Sequence, residues 1–310
     1  MKVAVLKGGR SLERGVSLRS AARVEDALER LGQEAVAIDA DKALVKRLSE
    51  VAPDVAFVAM HGPGGEDGTA QELLELLGIP FTGPGVAACG RCMDKVVAKR
   101  ALRAAGVPTP DWFAFNATAF RELGAADALG ALEQRLGFPL VVKPSRGGSA
   151  LGVRFAAGAA EVPAALVSAF SYDDRVLLER FVEGRELAVS VLGSEPLPVV
   201  EAIPAGGDRY DFEARYEIGR TEFVCPAQLE AGEAEAVTAT ALAAYEALGC
   251  SGFSRVDLIL GAGGPEVLEV NAIPGLTDTS LLPQAAEAAG ISFEQLVERI
   301  LELALQPAAA

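Results

Sequence analysis

Glu269 and Asn271 stand two apart in the run Val267-Leu268-Glu269-Val270-Asn271, so on a β-strand both side chains face one side. Asp257 lies on the preceding apolar run, a short glycine-rich turn away at residues 261–264. Two carboxylates and an amide oxygen on one sheet face suit Mg²⁺, a hard cation that also takes phosphate oxygens and water. A solvated polar face could use the same residue types. Here the flanks, Leu258 to Leu260 and Val267-Leu268, are apolar, which favours the metal.

A second block, Val141-Val142-Lys143-Pro144-Ser145-Arg146-Gly147-Gly148-Ser149-Ala150-Leu151-Gly152-Val153, reads as strand, glycine-rich turn, strand. Glycines let backbone N–H groups close on anionic oxygens, and the strand lysine supplies a point charge. A plain glycine hairpin would look alike. The block is neither the Walker nor the Rossmann phosphate motif.

These residues need elements to hold them. Residues 3–6, 35–38 and 55–60 read as buried strands, alternating with helices at 20–31 and 70–77. That spacing predicts a parallel sheet with helices on both faces and ligands at the carboxyl ends of its strands. Residues 87–105 read as one helix leading into a second unit, with strands at 140–143, 152–155 and 176–178. From Glu186 the pattern is mostly β, at 187–192, 199–203, 221–224, 256–260 and 267–270. It is interrupted by an alanine-rich helix at 233–248 and closed by a helix at 293–305. The long polar stretch 204–220 is of a length that is usually functional or mobile.

At 310 residues the chain exceeds one usual core, so two or three lobes are expected. A formal net charge of −15 argues against nucleic acid or an anionic membrane as partner. No apolar run approaches membrane-spanning length and the N-terminal apolar stretch is too short for a signal peptide, so a cytoplasmic protein is expected. Its four cysteines are expected as thiols. Cys89 and Cys92 form a lone C-x-x-C, better read as helix packing than as a redox or zinc site.

Further stretches make a resemblance specific: Gly8-Gly9-Arg10-Ser11-Leu12-Glu13-Arg14-Gly15-Val16-Ser17-Leu18, His61-Gly62-Pro63-Gly64-Gly65-Glu66-Asp67-Gly68-Thr69-Ala70-Gln71, Met93-Asp94-Lys95, residues 210–216 and residues 271–280. With the block around Lys143 they occur in the order found in D-alanine–D-alanine ligases of the ATP-grasp superfamily. The chain resembles that family over essentially its whole length. The implied fold is α/β: a Rossmann-like parallel-sheet domain (1–86), a small central lobe with the phosphate loop (87–180), and a mixed-sheet C-terminal lobe (181–310) with a lid at 204–220. The implied activity is ATP-dependent joining of two D-alanines through a D-alanyl phosphate, for peptidoglycan precursors, by a cytoplasmic homodimer.

The resemblance also implies roles. Lys95 and Lys143 hold ATP phosphates under the turn that includes Ser145, Gly148 and Ala150. Adenine lies by Glu179, Arg180, Phe181 and Val182, and Glu186 takes the ribose. Asp257, Glu269 and Asn271 bind two Mg²⁺ ions, which Mn²⁺ could replace. Glu13 pairs with the first D-alanine's ammonium, with Ser149 and Tyr216 as its hydrogen-bonding partners. Arg255 and the Gly275 N–H stabilise the oxyanion. Arg215, Ser280 and Leu281 hold the second D-alanine, and His61 borders the substrates.

Several positions depart from common family members. Ala150 stands for a serine, Ala272 for a threonine, Arg215 for a lysine and Gly15 for a glutamate. Asp278 and Thr279 also depart from some members, near the second-substrate carboxylate. The rival readings are a sister ligase forming D-alanyl-D-lactate or D-alanyl-D-serine, and a non-catalytic ATP-binding protein on the same fold. The Tyr210, Arg215, Tyr216 pattern favours an amino-acid acceptor. A biotin-carboxylase-like enzyme is weaker still, since nothing supplies a biotin attachment domain.

Overall fold

The structure, a computed structural model, describes residues 1–204 and 220–306, apart from the Ala126 side chain. Tyr210, Arg215 and Tyr216 lie outside the described residues.

The N-terminal apolar runs form β1 (Lys2–Lys7), β2 (Glu34–Asp39) and β3 (Val55–Val58), paired parallel in the order β2-β1-β3. Val3, Ala4, Val5 and Leu6 are wholly buried, as expected for a parallel strand covered on both faces. The helix Arg14–Arg30 covers one face with Ser17, Ala21, Val24 and Leu28, a stripe at helical spacing. The closing helix Phe293–Leu305, started by a Ser292–Gln295 capping box, packs on that helix and on β3. Chain end and chain start thus share one core.

The central lobe is an antiparallel sheet of β4 (Trp112–Asn116), β5 (Leu140–Pro144), β6 (Arg154–Ala156) and β7 (Arg175–Arg180), in the order β4-β7-β5-β6. The C-terminal sheet contains β8 (Gly184–Leu192), β9 (Glu195–Pro196), β10 (Val200–Pro204), β11 (Thr221–Val224), β12 (Phe253–Gly261) and β13 (Gly264–Asn271). Its order is β11-β10-β8-β12-β13, with β9 on β8. The expectation of a mixed sheet is corrected here: every described ladder is antiparallel. The two-residue turn between β12 and β13 permits nothing else, because a parallel return needs a long crossover.

The single helix expected over 87–105 is two, Val86–Met93 and Lys95–Ala104, broken at Asp94. Asp94 adopts extended backbone and its side chain accepts from the Val96 and Val97 amides, ending one helix and capping the next. The break turns Lys95 toward the glycine-rich turn at 145–152. Among the described residues no helix is long and apolar enough to cross a membrane.

Candidate active site

β12 and β13 pair so that Arg255 lies opposite Asn271 and Asp257 opposite Glu269, before a register shift after Asp257. The expected metal-binding trio and Arg255 therefore occupy one patch on one sheet face. Asp257 accepts from Arg255 Nε at 2.6 Å and Nη2 at 2.8 Å, a fork that fixes the guanidinium plane. Glu269 lies 3.3 Å from Lys95 Nζ. Asn271 Oδ1 is buried without a hydrogen-bond partner. An amide oxygen left so is costly unless a ligand completes it, which fits a hard cation at this face. Among the described residues no three His, Cys, Asp or Glu side chains cluster as a metal cage. Phosphate and water oxygens would have to complete the coordination, as is usual for Mg²⁺.

Above the patch lies the glycine-rich turn. Lys95 Nζ donates to the Gly147 carbonyl at 2.7 Å, and the Lys95 N–H donates to the Ser145 carbonyl at 2.9 Å. Ser149 and Ala150 have φ of 54° and 55°, a left-handed backbone that non-glycine residues seldom take. Such strain persists where surroundings over-determine it, and it gathers at ligand clamps. The restraint here is visible. Ser149 Oγ donates to Glu13 Oε1, and a Cβ on Gly148 would fall 2.8 Å from Glu13 Oε2. Glycine at 148 lets the turn lie directly on Glu13.

A cavity of about 460 Å³ runs under the turn and between the two antiparallel sheets. Lys95, Lys143, Gly148, Ala150, Glu179 and Glu269 face it, as do Arg180, Phe181, Val182 and Glu186. Val141, Ile259 and Leu268 add apolar lining suited to a flat base. Glu179 and Arg180 finish strand β7 rather than forming a free linker. Ser145 is the exception among the expected nucleotide residues. It is wholly buried behind the turn and its hydroxyl donates to Asp94 Oδ1 at 2.8 Å.

A smaller cavity of about 110 Å³ lies on the other side of Ser149. Glu13, His61, Arg255, Gly275, Ser280 and Leu281 line it, so seven residues expected at the substrates, Ser149 included, converge there, together with the expected metal ligand Asn271. A Cβ on Gly275 would sit 2.8 Å from Ser280 Oγ, so glycine here lets that hydroxyl approach the bend closely. Leu281 begins the helix Leu281–Ala288, whose first amides have no intrahelical acceptor and suit a carboxylate. The Glu13 carboxyl is pushed above the usual carboxylate range by burial and by nearby Glu66. The Ser149 hydrogen bond and the charges of His61 and Lys95 oppose this only in part.

His61 is buried with both ring nitrogens engaged. Nδ1 faces the Ile273 carbonyl at 3.1 Å and Glu66 Oε1 at 3.3 Å, both acceptors, so Nδ1 carries the proton. Ser20 Oγ accepts the Leu276 N–H at 3.1 Å and lies within hydrogen-bond distance of Nε2 at 3.0 Å. His61 thereby ties the N-terminal helix to the loop after β13 and borders the small cavity.

Arg19, Glu66 and Lys99 were not singled out in the sequence. Lys99 stands one helical turn beyond Lys95, a spacing that could have flagged it. Arg19 and Glu66, which also line the small cavity, carry no such spacing, although Glu66 falls within the matching stretch that begins at His61. Cys89 Sγ donates to the Pro84 carbonyl at 3.3 Å, and Cys92 Sγ lies 3.6 Å from Cys250 Sγ. Ala272 joins the hydrophobic core, where a threonine hydroxyl would have to be accommodated.

Asp94 supports the whole turn. Burial pushes its carboxyl up, but the Ser145 and Val97 hydrogen bonds and the Arg175 and Arg146 charges outweigh this and hold it below the ordinary range. Its contribution to stability is complete above the unfolded carboxylate pKa and is lost as pH falls through the depressed one. Asp94→Ala is expected to cost about 1 kcal/mol from the cap alone, read as a lower urea midpoint at neutral pH. The loss should shrink in acid, where the wild-type carboxyl is protonated too.

Comparison with known proteins agrees across the chain. Residues 101–302 match the family described as D-ala D-ala ligase C-terminus, and residues 41–84 match D-ala D-ala ligase N-terminus. A D-alanine–D-alanine ligase of Synechococcus sp. (strain JA-3-3Ab) is 44% identical, covering 100% of this chain and 95% of that relative. The crystal structure of D-alanine–D-alanine ligase from Bacillus anthracis complexed with ATP superposes with a TM-score of 0.83. It is 36% identical, over 98% of this chain and 97% of that one. The VanG D-Ala:D-Ser ligase of Enterococcus faecalis superposes with a TM-score of 0.82 at 28% identity, over 98% of this chain and 99% of that one. With its nucleotide-shaped cleft, its adjoining polar cavity and these full-length likenesses, the chain belongs to the D-alanine–D-alanine ligase family.

Proposed function

We propose that the chain joins two D-alanines into D-alanyl-D-alanine, driven by ATP, for peptidoglycan precursors in the cytoplasm. One observation carries the reading: the two cavities are partitioned by a single turn and a single strand. Gly148 faces the larger cavity and Ser149 the smaller; Glu269 faces the larger and Asn271 the smaller. A γ-phosphate in one and a carboxylate in the other meet at that boundary, which is the geometry a phosphoryl transfer needs.

In this reading Lys95 and Lys143 neutralise the triphosphate, and Glu186 takes the ribose hydroxyls. Asp257, Glu269 and Asn271 would hold Mg²⁺, which supplies further neutralisation of phosphate charge when bound. Glu13 and Ser149 orient the first D-alanine by its ammonium. Its carboxylate oxygen bonds to the γ-phosphorus as the β–γ bridging bond breaks, leaving D-alanyl phosphate and ADP. The second D-alanine, its carboxylate at Ser280 and the Leu281 amide, attacks the acyl carbon with its free amine. The oxyanion is met by Arg255 and the Gly275 N–H. Phosphate leaves as the amide forms and the amine proton is shed.

The test is phosphate release with ATP and Mg²⁺, with the product identified by mass. D-alanine alone is expected to suffice, whereas L-alanine fails. Preferential D-alanyl-D-serine or D-alanyl-D-lactate at neutral pH would move the assignment to a sister ligase. ATP binding without phosphate release for any pair would leave only a nucleotide-binding protein.

A further inference from the structure

Lys99 takes no part in the chemistry described above, yet it is among the largest wholly buried side chains of the protein. A buried ammonium is costly unless each of its three donors is met. Lys99 Nζ meets Glu179 Oε2, Thr109 Oγ1 at 2.5 Å and the Pro110 carbonyl at 3.2 Å. Thr109 spends its own proton on the Val267 carbonyl at 2.7 Å, so toward Lys99 it can only accept. The other Glu179 oxygen accepts from Lys143 Nζ at 2.8 Å. Glu179 is therefore clamped between an ammonium that faces the cavity and one that does not.

We infer that Lys99 is a positioning residue that fixes Glu179 as a pure hydrogen-bond acceptor and so selects adenine over guanine in the nucleotide cavity. This rests on reading that cavity as the ATP site. An ionised carboxylate accepts and cannot donate; Oε2 is buried on the Lys99 side, and Oε1 keeps a second lone pair after meeting Lys143. The base edge in front of it must then carry a donor. Adenine offers an exocyclic amine at its six-position; guanine offers a carbonyl oxygen, which the carboxylate repels. Without Lys99, Glu179 would be wholly buried with one cation, and desolvation would favour its protonated form. A protonated carboxyl donates as well as accepts, and a guanine carbonyl would then be tolerated.

The surroundings also make the clamp sensitive to alkali. Burial pulls the Lys99 ammonium down to about 8; Glu179 and Glu266 favour its charge, whereas Lys143 opposes it. Arg103, on the same helix, and Lys99 both lie over the Trp112 ring, and Glu266 is itself paired with Arg180. The ammonium is intact below pH of about 8 and loses its charge above it. Glu179 then keeps only Lys143.

Lys99→Met keeps the length of the side chain and removes the charge. Its KM for ATP is expected to rise about tenfold and its ATP-over-GTP preference in kcat/KM to fall at least about tenfold, each equal to roughly 1.4 kcal/mol. The kcat at saturating ATP and the KM for D-alanine should stay within about threefold, since neither cavity loses a lining residue. In the wild type the KM for ATP should climb above pH of about 8; in the variant it should be flat. A folded Lys99→Met enzyme with unchanged ATP affinity and unchanged preference would overturn the inference. Should that variant not fold, a wild-type KM for ATP that is level from pH 7 to 9 would overturn it instead. Failure of the parent reading looks different, because ATP would then support no turnover in the wild type at any pH.

Discussion

Glu269→Gln is expected to lower phosphate release by about a thousandfold, the scale on which groups that meet developing charge act. The substitution keeps the shape of the side chain, and the core residues beside it, Val267 and Val270, are untouched. Melting should therefore move little while the chemistry collapses. Glu269 sits where three requirements cross: Lys95 Nζ is 3.3 Å away, Asp257 is directly across the ladder, and Asn271 with its orphaned oxygen is two residues on. Removing its charge leaves Lys95 without its acidic neighbour and the proposed metal-binding face with one carboxylate, already shared with Arg255. Calorimetric titration with ATP in excess Mg²⁺ should still show binding, because the two lysines and the apolar lining remain. Turnover of this variant within tenfold of the wild type would remove the metal from this sheet face and leave Asn271 Oδ1 without an explanation.

That patch was legible in the sequence for a physical reason. Strand periodicity is strict, so two polar residues two apart among apolar ones must share a face, and a short glycine turn forces the neighbouring strand into antiparallel register. The parallel sheet was legible for a similar reason, in uninterrupted apolar runs spaced by helices. Where the sequence misled, one side chain decided the outcome. Asp94 reads as an ordinary polar residue inside a helical stretch, yet its two backbone hydrogen bonds and its grip on Ser145 break that helix in two. Trp112–Asn116 was not foreseen as a strand, because its five residues, Trp-Phe-Ala-Phe-Asn, show no alternation and take their place only by pairing with Arg175–Arg180. Contacts distant in sequence were beyond local pattern altogether. Residues 36 positions apart, Lys143 and Glu179, meet across a sheet; 136 positions separate Ser149 from Glu13. The resemblance to a family supplied the Ser149–Glu13 pairing as an expectation, whereas the Lys143–Glu179 pair, Lys99 and the Cys92–Cys250 contact follow only from the folded chain.

Glu13→Gln should act on the substrate side of the same boundary, raising the KM for the first D-alanine far more than that for ATP. A hydrogen bond to a charged group contributes about 1.5–3 kcal/mol, so its loss corresponds to roughly 10- to 150-fold in KM. Glutamine still fits beneath Gly148 and Gly62, whose missing Cβ atoms make the room, and it can still accept from Ser149. The pH dependence separates this from a packing defect. Only ionised Glu13 pairs with an ammonium, and burial with the Glu66 charge raises its pKa above the ordinary carboxylate range. In the wild type, kcat/KM for D-alanine should therefore fall as pH drops through that raised value, and in Glu13→Gln this limb should disappear. Ser149→Ala provides the graded case. Alanine takes the same left-handed backbone no more easily than serine, so the substitution removes the hydroxyl without relieving the turn. It should weaken D-alanine binding less than Glu13→Gln does, and it should move the acid limb to higher pH, since the hydrogen bond that favours the ionised carboxyl is gone. If Glu13→Gln instead kept both its KM for D-alanine and its acid limb, the ammonium would belong to Glu66, the other carboxyl lining the small cavity.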